Sequence, residues 1–127
     1  MNRPPLLDGL NYDYWKSYMS AFLKSIDSRT WKAVLKGWEH TVALDVDGNR
    51  IDVLKPEEEW TPAEDKLTLG NSKALNALFN GVDKNMFRLI KQCTMAKDAW
   101  EILKQHMMAQ LRYKVQNFNF LLQNLRN

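Results

Sequence analysis

Cys93 and His106 are the two side chains in this sequence with the makings of a nucleophile and its base. A thiolate activated by an imidazole needs the pair within hydrogen-bond reach and an acid to orient the ring. These two stand thirteen residues apart, on different faces of the expected helices, with no evident orienting acid. Metal chemistry has as little to work with. His40 and His106 are the only histidines, and a single cysteine excludes a zinc site built on two or more thiolates. Asp45-Val46-Asp47-Gly48-Asn49 opens like a calcium loop, but the position that requires glycine is Arg50 and the one that requires a bidentate acid is Pro56. It reads as a turn. There is no glycine-rich phosphate loop, no Gly-x-Ser-x-Gly elbow and no His-Glu-x-x-His pair. The residues point to no catalysis, no cofactor, no metal and no small-molecule substrate.

Polyanion binding has better ingredients. Lys104, Arg112, Lys114 and Arg126 interleave with Tyr113, Phe118 and Phe120, combining cations for phosphate with rings for stacking. Phe118, however, falls on an apolar seam, and a ring buried in a core cannot stack on a base. RNA contact is therefore expected to be weak and mainly electrostatic, through the four basic residues.

The formal charge of +3 hides a division along the chain. Residues 1–38 carry six Lys or Arg against three acids, and residues 39–66 carry three against nine. Residues 67–101 have five against three, and residues 102–127 have four and no acid. An acidic middle and a basic tail either steer subunits head to tail or guide the tail to a polyanion, or they are simply a solvated surface of uneven composition. At 127 residues, 45% hydrophobic and 26% charged, the chain has the size and composition of one globular domain with its own core. No run of about 18 apolar residues occurs, and no apolar stretch of signal-peptide length follows the first residues. With one cysteine, a reducing compartment, cytoplasmic or nuclear, is expected, and no membrane contact.

Periodicity supplies the elements that would position these groups. Leu6 to Asn11 ends in turn chemistry, and Trp15, Met19, Phe22, Leu23 and Ile26 then mark an amphipathic helix over about 12–26. Asp27 or Ser28 is placed to cap a second helix carrying Trp31, Val34 and Leu35, with Gly37 ending it in the left-handed conformation. Residues 39–59 form an acidic insertion, with partial alternation on either side of Asp47-Gly48-Asn49, which predicts a small exposed and mobile β-hairpin. Thr61, Pro62 and Glu64 match a capping box with a proline lead. The third helix should turn Leu67, Leu75, Leu78 and Phe79 inward, with Gly70 a weak point worth about 1 kcal/mol relative to alanine and Gly81 its stop. Asp83 is placed to cap a fourth helix bearing Met86, Phe87 and Ile90. Thr94 is expected to cap a fifth, with Ala96, Ala99, Trp100, Leu103 and Met107 on one face.

From about Ala109 the chain carries Leu111, Val115, Phe118, Leu122 and Leu125 at alternating steps of four and three, the spacing of a coiled-coil seam. This basic C-terminal helix, 109–127, either closes the bundle or presents an assembly face to another subunit or a missing segment. Trp15, Trp31, Trp60 and Trp100 are the expected core anchors.

The order of these motifs resembles the Gag polypeptide, in its capsid-type region, of plant copia-type LTR retrotransposons. The resemblance rests on Leu7-Asp8-Gly9-Leu10-Asn11-Tyr12 with Trp15, Met19 and Leu23, then Trp31, Val34 and Gly37. It continues through Trp60, Ala74-Leu75-Asn76-Ala77-Leu78 and Thr94-Met95-Ala96-Lys97-Asp98-Ala99-Trp100-Glu101-Ile102-Leu103, so that it covers residues 6–104. The resemblance implies an all-α, five- to six-helix capsid-like bundle, here with the small hairpin between the second and third helices. It implies a structural protein that self-associates into particles packaging element RNA, not an enzyme. The alternative is a domesticated Gag-derived adaptor that binds a host protein or RNA through its C-terminal helix. Two departures stand out. Gln105 to Gln110 replaces an expected polar break and is set to fuse two helices, and no Cys-x2-Cys-x4-His-x4-Cys knuckle occurs, as expected of the front of a Gag or a degenerate copy.

Overall fold

A computed structural model describes residues 3–8 and 11–126. Five α-helices and one two-stranded antiparallel sheet follow in the order α1 (Tyr12–Ile26), α2 (Ser28–Leu35), β1 (Val42–Leu44), β2 (Arg50–Leu54), α3 (Pro62–Asn80), α4 (Lys84–Ile90) and α5 (Ala96–Arg126). A single 3-10 turn, Glu57–Glu59, leads from β2 towards α3. The chain is thus mostly helical, with the small sheet between the second and third helices. Gly9 and Leu10 of the expected N-terminal turn lie outside the described residues.

The helix starts follow short-range chemistry. The Asp27 carboxylate accepts from the Thr30 amide and hydroxyl, at 2.8 and 2.9 Å, and opens α2. The left-handed Gly37, at φ 87°, lies just past the end of that helix. At α3 the Thr61 hydroxyl accepts from the Glu64 amide while the Glu64 carboxylate accepts from the Thr61 amide, closing a reciprocal box with Pro62 in the first turn. Asp83 accepts from the Met86 amide and opens α4. The fifth start departs from expectation. No hydrogen bond from the Thr94 side chain occurs among the described residues. The cap comes instead from α3, whose buried Asn71 accepts from the Ala96 amide and donates to the Thr94 carbonyl, both at 2.8 Å. A helix N-terminus leaves free amides that need an acceptor, and here the acceptor is supplied in space rather than in sequence.

Trp15 is the hub of the core. It is 1% exposed, and its indole N–H lies between two carbonyl acceptors, Gly81 at 2.9 Å and Pro5 at 3.1 Å. This ties the N-terminal arm, α1 and the end of α3 together. Leu7, fully buried, reinforces the same junction by a parallel bridge to Val82, donating to the Gly81 carbonyl and accepting from the Asp83 amide. Trp100 stacks on Trp15 with centroids 5.4 Å apart and meets the edge of Trp31 at 5.7 Å. Met19, Leu23, Leu78, Ile90 and Leu103, all buried, fill the space around them.

Several side chains expected inside lie elsewhere. Leu35 and Leu67 are exposed, and Phe87 is at the margin, its ring edge-on to Phe79. Trp60 stands outside the core cluster, half-buried at the base of the hairpin, where its indole donates to the Lys55 carbonyl. Gly70 is buried where α2 crosses α3 and is not simply a weak point. A β-carbon there would lie 3.0 Å from the Arg29 backbone carbon and oxygen.

The hairpin itself follows its turn. The Asp45 carboxylate accepts from the Asp47 and Asn49 amides, and Gly48 takes the left-handed conformation at φ 82°. Pairing of Val42 with Leu54 and of Leu44 with Arg50 brackets an irregularity in register.

Candidate functional site

α5 is one uninterrupted helix of 31 residues, about 46 Å long at 1.5 Å per residue. Gln105 to Gln110 does fuse the two expected helices. The first three turns bury Ala96, Ala99, Leu103 and Met107 against α2, α3 and α4. From Leu111 to Arg126 every residue is exposed. The closing role in the bundle, one of the two expectations for this segment, is therefore not what the chain adopts. The packed face of the helix, set by Ala96, Ala99, Leu103 and Met107, ends with the partly buried Met108, and the helix runs on beyond it into solvent.

The expected assembly face is carried on that free half. Leu111, Val115, Phe118, Leu122 and Leu125 stand along one stripe, and Phe118 and Leu125 are 60% and 84% exposed. By the 3.6-residue repeat, Arg112 and Arg126 flank one edge of the stripe and Lys114 the other. Tyr113 and Phe120 fall on the opposite side, also exposed. Phe118 was expected to be withdrawn from any base by burial in the core, and its exposure removes that objection. Lys104 lies exposed on the packed half, about two turns before the stripe, so the four basic residues do not form one patch.

The remaining candidates are scattered. Cys93 lines a cleft at the hairpin base, and burial raises its thiol pKa, with the Asp98 carboxylate adding to the effect, so the thiolate is disfavoured. His106 lines a separate shallow groove with Ala109, Gln110, Tyr113 and Lys114. The structure does not bring these two together. Among the described residues no three His, Cys, Asp or Glu side chains converge as metal ligands. Among those residues no helix is long and apolar enough to cross a membrane.

A second surface lies at the acidic hairpin, where the sequence marks the charge and the turn but not a cleft. The cleft beside Cys93, about 530 Å³, lies between the hairpin, the 3-10 turn and α3, and Trp38, His40, Leu54, Trp60 and Leu75 line it. Trp38 and His40 meet edge to face with centroids 4.4 Å apart. An adjoining groove of about 560 Å³ has Glu39, Glu59 and Glu64 in its wall. The Glu64 carboxyl is held below its usual range, first by the Thr61 amide and then by the Lys55 ammonium. The indoles of Trp38 and Trp60 were the available signal, since two aromatics flanking an acidic hairpin need not both fit inside.

No protein-family model, curated protein or solved structure matches the chain.

Proposed function

We propose that this chain is a structural, self-associating protein of the Gag capsid type, acting as a scaffold of particles around element RNA and not as an enzyme. The observation that carries the reading is the free half of α5, sixteen consecutive exposed residues bearing a coiled-coil-spaced apolar stripe. A helix standing alone in water loses the tertiary packing that normally stabilises helices, and an apolar stripe of this length is a surface for another chain. The order of the tryptophan-centred motifs supplies the family resemblance, and the five-helix body is compatible with it.

Sedimentation velocity on the purified chain tests the reading, over a wide concentration range, at low and high salt, with and without RNA. Concentration-dependent oligomers are expected, abolished by Leu122→Asp with the circular dichroism of the body retained. A monomer under every condition overturns self-association. Exposure of Tyr113 and Phe120 beside Arg112 and Lys114 favours a second reading, an adaptor that contacts RNA through this helix. That reading expects a monomer that binds RNA, with affinity falling as salt rises.

A further inference from the structure

The two surfaces that the body leaves open sit at opposite ends of α5. Cys93 and Thr94, immediately before its N-terminus, line the cleft under the acidic hairpin, and the apolar stripe occupies its C-terminal half. About 46 Å of rigid helix separates the two ends, so a tail cannot fold back onto its own cleft.

The two ends also differ in sign. Residues 39–66 carry nine acids against three basic residues, and two of those three are already engaged within the segment, Arg50 with Glu39 and Lys55 with Glu64. Among the described residues Asp52, Glu57, Glu58 and Glu59 make no ion pair, and all are exposed. Residues 102–127 carry four basic residues and no acid, with Arg112, Arg126 and Lys114 along the edges of the apolar stripe. Each end has apolar surface as well. Every residue of β2 is exposed, including Val53 and Leu54, and Trp38 and Trp60 line the cleft beside it.

Area supports the match. The stripe with Leu121 presents on the order of 600 Å² of exposed surface, taking roughly 150–250 Å² for a fully exposed large side chain. Monomeric proteins seldom expose more than a few hundred Å² in one patch, and about 800 Å² per partner makes a standard interface. Two tails paired with each other would cover the stripes but would bring Arg112, Lys114 and Arg126 of both copies together. The hairpin side offers opposite charge, with Glu57 beside Trp38 and Trp60 in the wall of the cleft, Glu39 and Glu59 in the wall of the adjoining groove, and Lys55, which lines both, already paired with Glu64.

We infer that the C-terminal helix of one copy docks on the acidic hairpin cleft of a second copy, giving a head-to-tail contact. This deepens the self-association proposed above and rests on it. A contact between unlike patches does not close at two subunits. It continues into a ring or an open chain according to the rotation it imposes.

Two variants of the full chain test the geometry. One carries Phe118→Asp with Leu122→Asp, and the other Glu57→Lys, Glu58→Lys and Glu59→Lys, all at exposed positions, so far-ultraviolet circular dichroism should match the parent. Each variant alone is expected to be monomeric where the parent is oligomeric. Their equimolar mixture is expected to form heterodimers and stop there, because only one good tail and one good cleft remain. For the parent, association should weaken about tenfold or more between ~0.1 M and ~1 M salt, where the screening length falls from about 10 Å to about 3 Å. If the glutamate variant assembles as well as the parent, or if association strengthens with salt, the head-to-tail contact is wrong while self-association stands. If the parent is monomeric and gains mass only with RNA, both the contact and self-association fall. If the glutamate substitutions unfold the chain, Arg112→Glu with Lys114→Glu makes the same test from the tail. Undiminished assembly of that variant overturns the contact.

Discussion

Gly70→Ala puts helix propensity and tertiary packing in direct opposition. In an exposed helix interior this change stabilises by about 1 kcal/mol, because alanine loses less backbone entropy on folding than glycine. In this protein Gly70 is buried, and the new methyl would sit 3.0 Å from both the backbone carbon and oxygen of Arg29 and 3.1 Å from its β-carbon. Those are not flexible side-chain ends. They belong to the first turn of α2, which is held by the Asp27 cap and by Thr30, fully buried one residue along. Relief requires α2 and α3 to move apart by several tenths of an ångström, and α3 also carries the buried core residues Ala74 and Ala77. Overpacking of this kind costs about 1–3 kcal/mol. Taking about 2 kcal/mol and subtracting the propensity gain leaves a net loss of about 1 kcal/mol, a fall in Tm of about 4 °C for a chain of this size. Urea unfolding followed by circular dichroism reads the sign directly. A midpoint that rises for Gly70→Ala would refute the close approach of the two helices.

The remaining expectations concern caps. Asn71→Ala should destabilise by about 1–3 kcal/mol, because it leaves the Ala96 amide and Thr94 carbonyl without their partner, whereas Thr94→Ala should be nearly neutral; equal losses in chemical denaturation would contradict capping across helices. Asp27→Ala should cost about 1 kcal/mol at neutral pH through loss of the α2 cap. The Asp27 carboxyl is lowered from 3.8 to about 2, chiefly by the Thr30 amide, with the Thr30 hydroxyl and the Lys73 ammonium helping against partial desolvation. A depressed folded-state value means that this stability is present above about pH 4 and is lost as pH falls towards 2. The difference between parent and Asp27→Ala should therefore shrink over that window. Because the Lys73–Asp27 pair is about a third exposed on each side, Lys73→Ala should cost well under 1 kcal/mol, and a larger effect would show that the ion pair rather than the cap dominates.

The sequence by itself determined the elements whose causes lie within a few residues. The Thr61-Pro62-Glu64 box, the aspartate caps at Asp27 and Asp83, the left-handed Gly37 and the turn around Gly48 are bonds or torsions spanning at most four positions, so residue type and spacing specify them. The amphipathic stripe of α1, the mostly helical character and the hairpin insertion follow from the same local periodicity. The seam from Leu111 to Leu125 was legible too, but not whether anything covered it.

Only the tertiary structure decided which faces are wet. Leu67 and Leu35 lie on stripes that look apolar in sequence yet are more than half exposed, and Trp60 leans on the hairpin instead of the core. Asn71 caps a helix 25 residues away, and the Trp15 indole reaches the Gly81 carbonyl across 66 positions. Burial and hydrogen bonding at such separations depend on where other elements run, and periodicity in one helix carries no record of its neighbours. For the same reason the free half of α5 and the cleft at the acidic hairpin are visible in the sequence only as composition, and they are surfaces because the packed body ends near Met108 and the hairpin stands out from it.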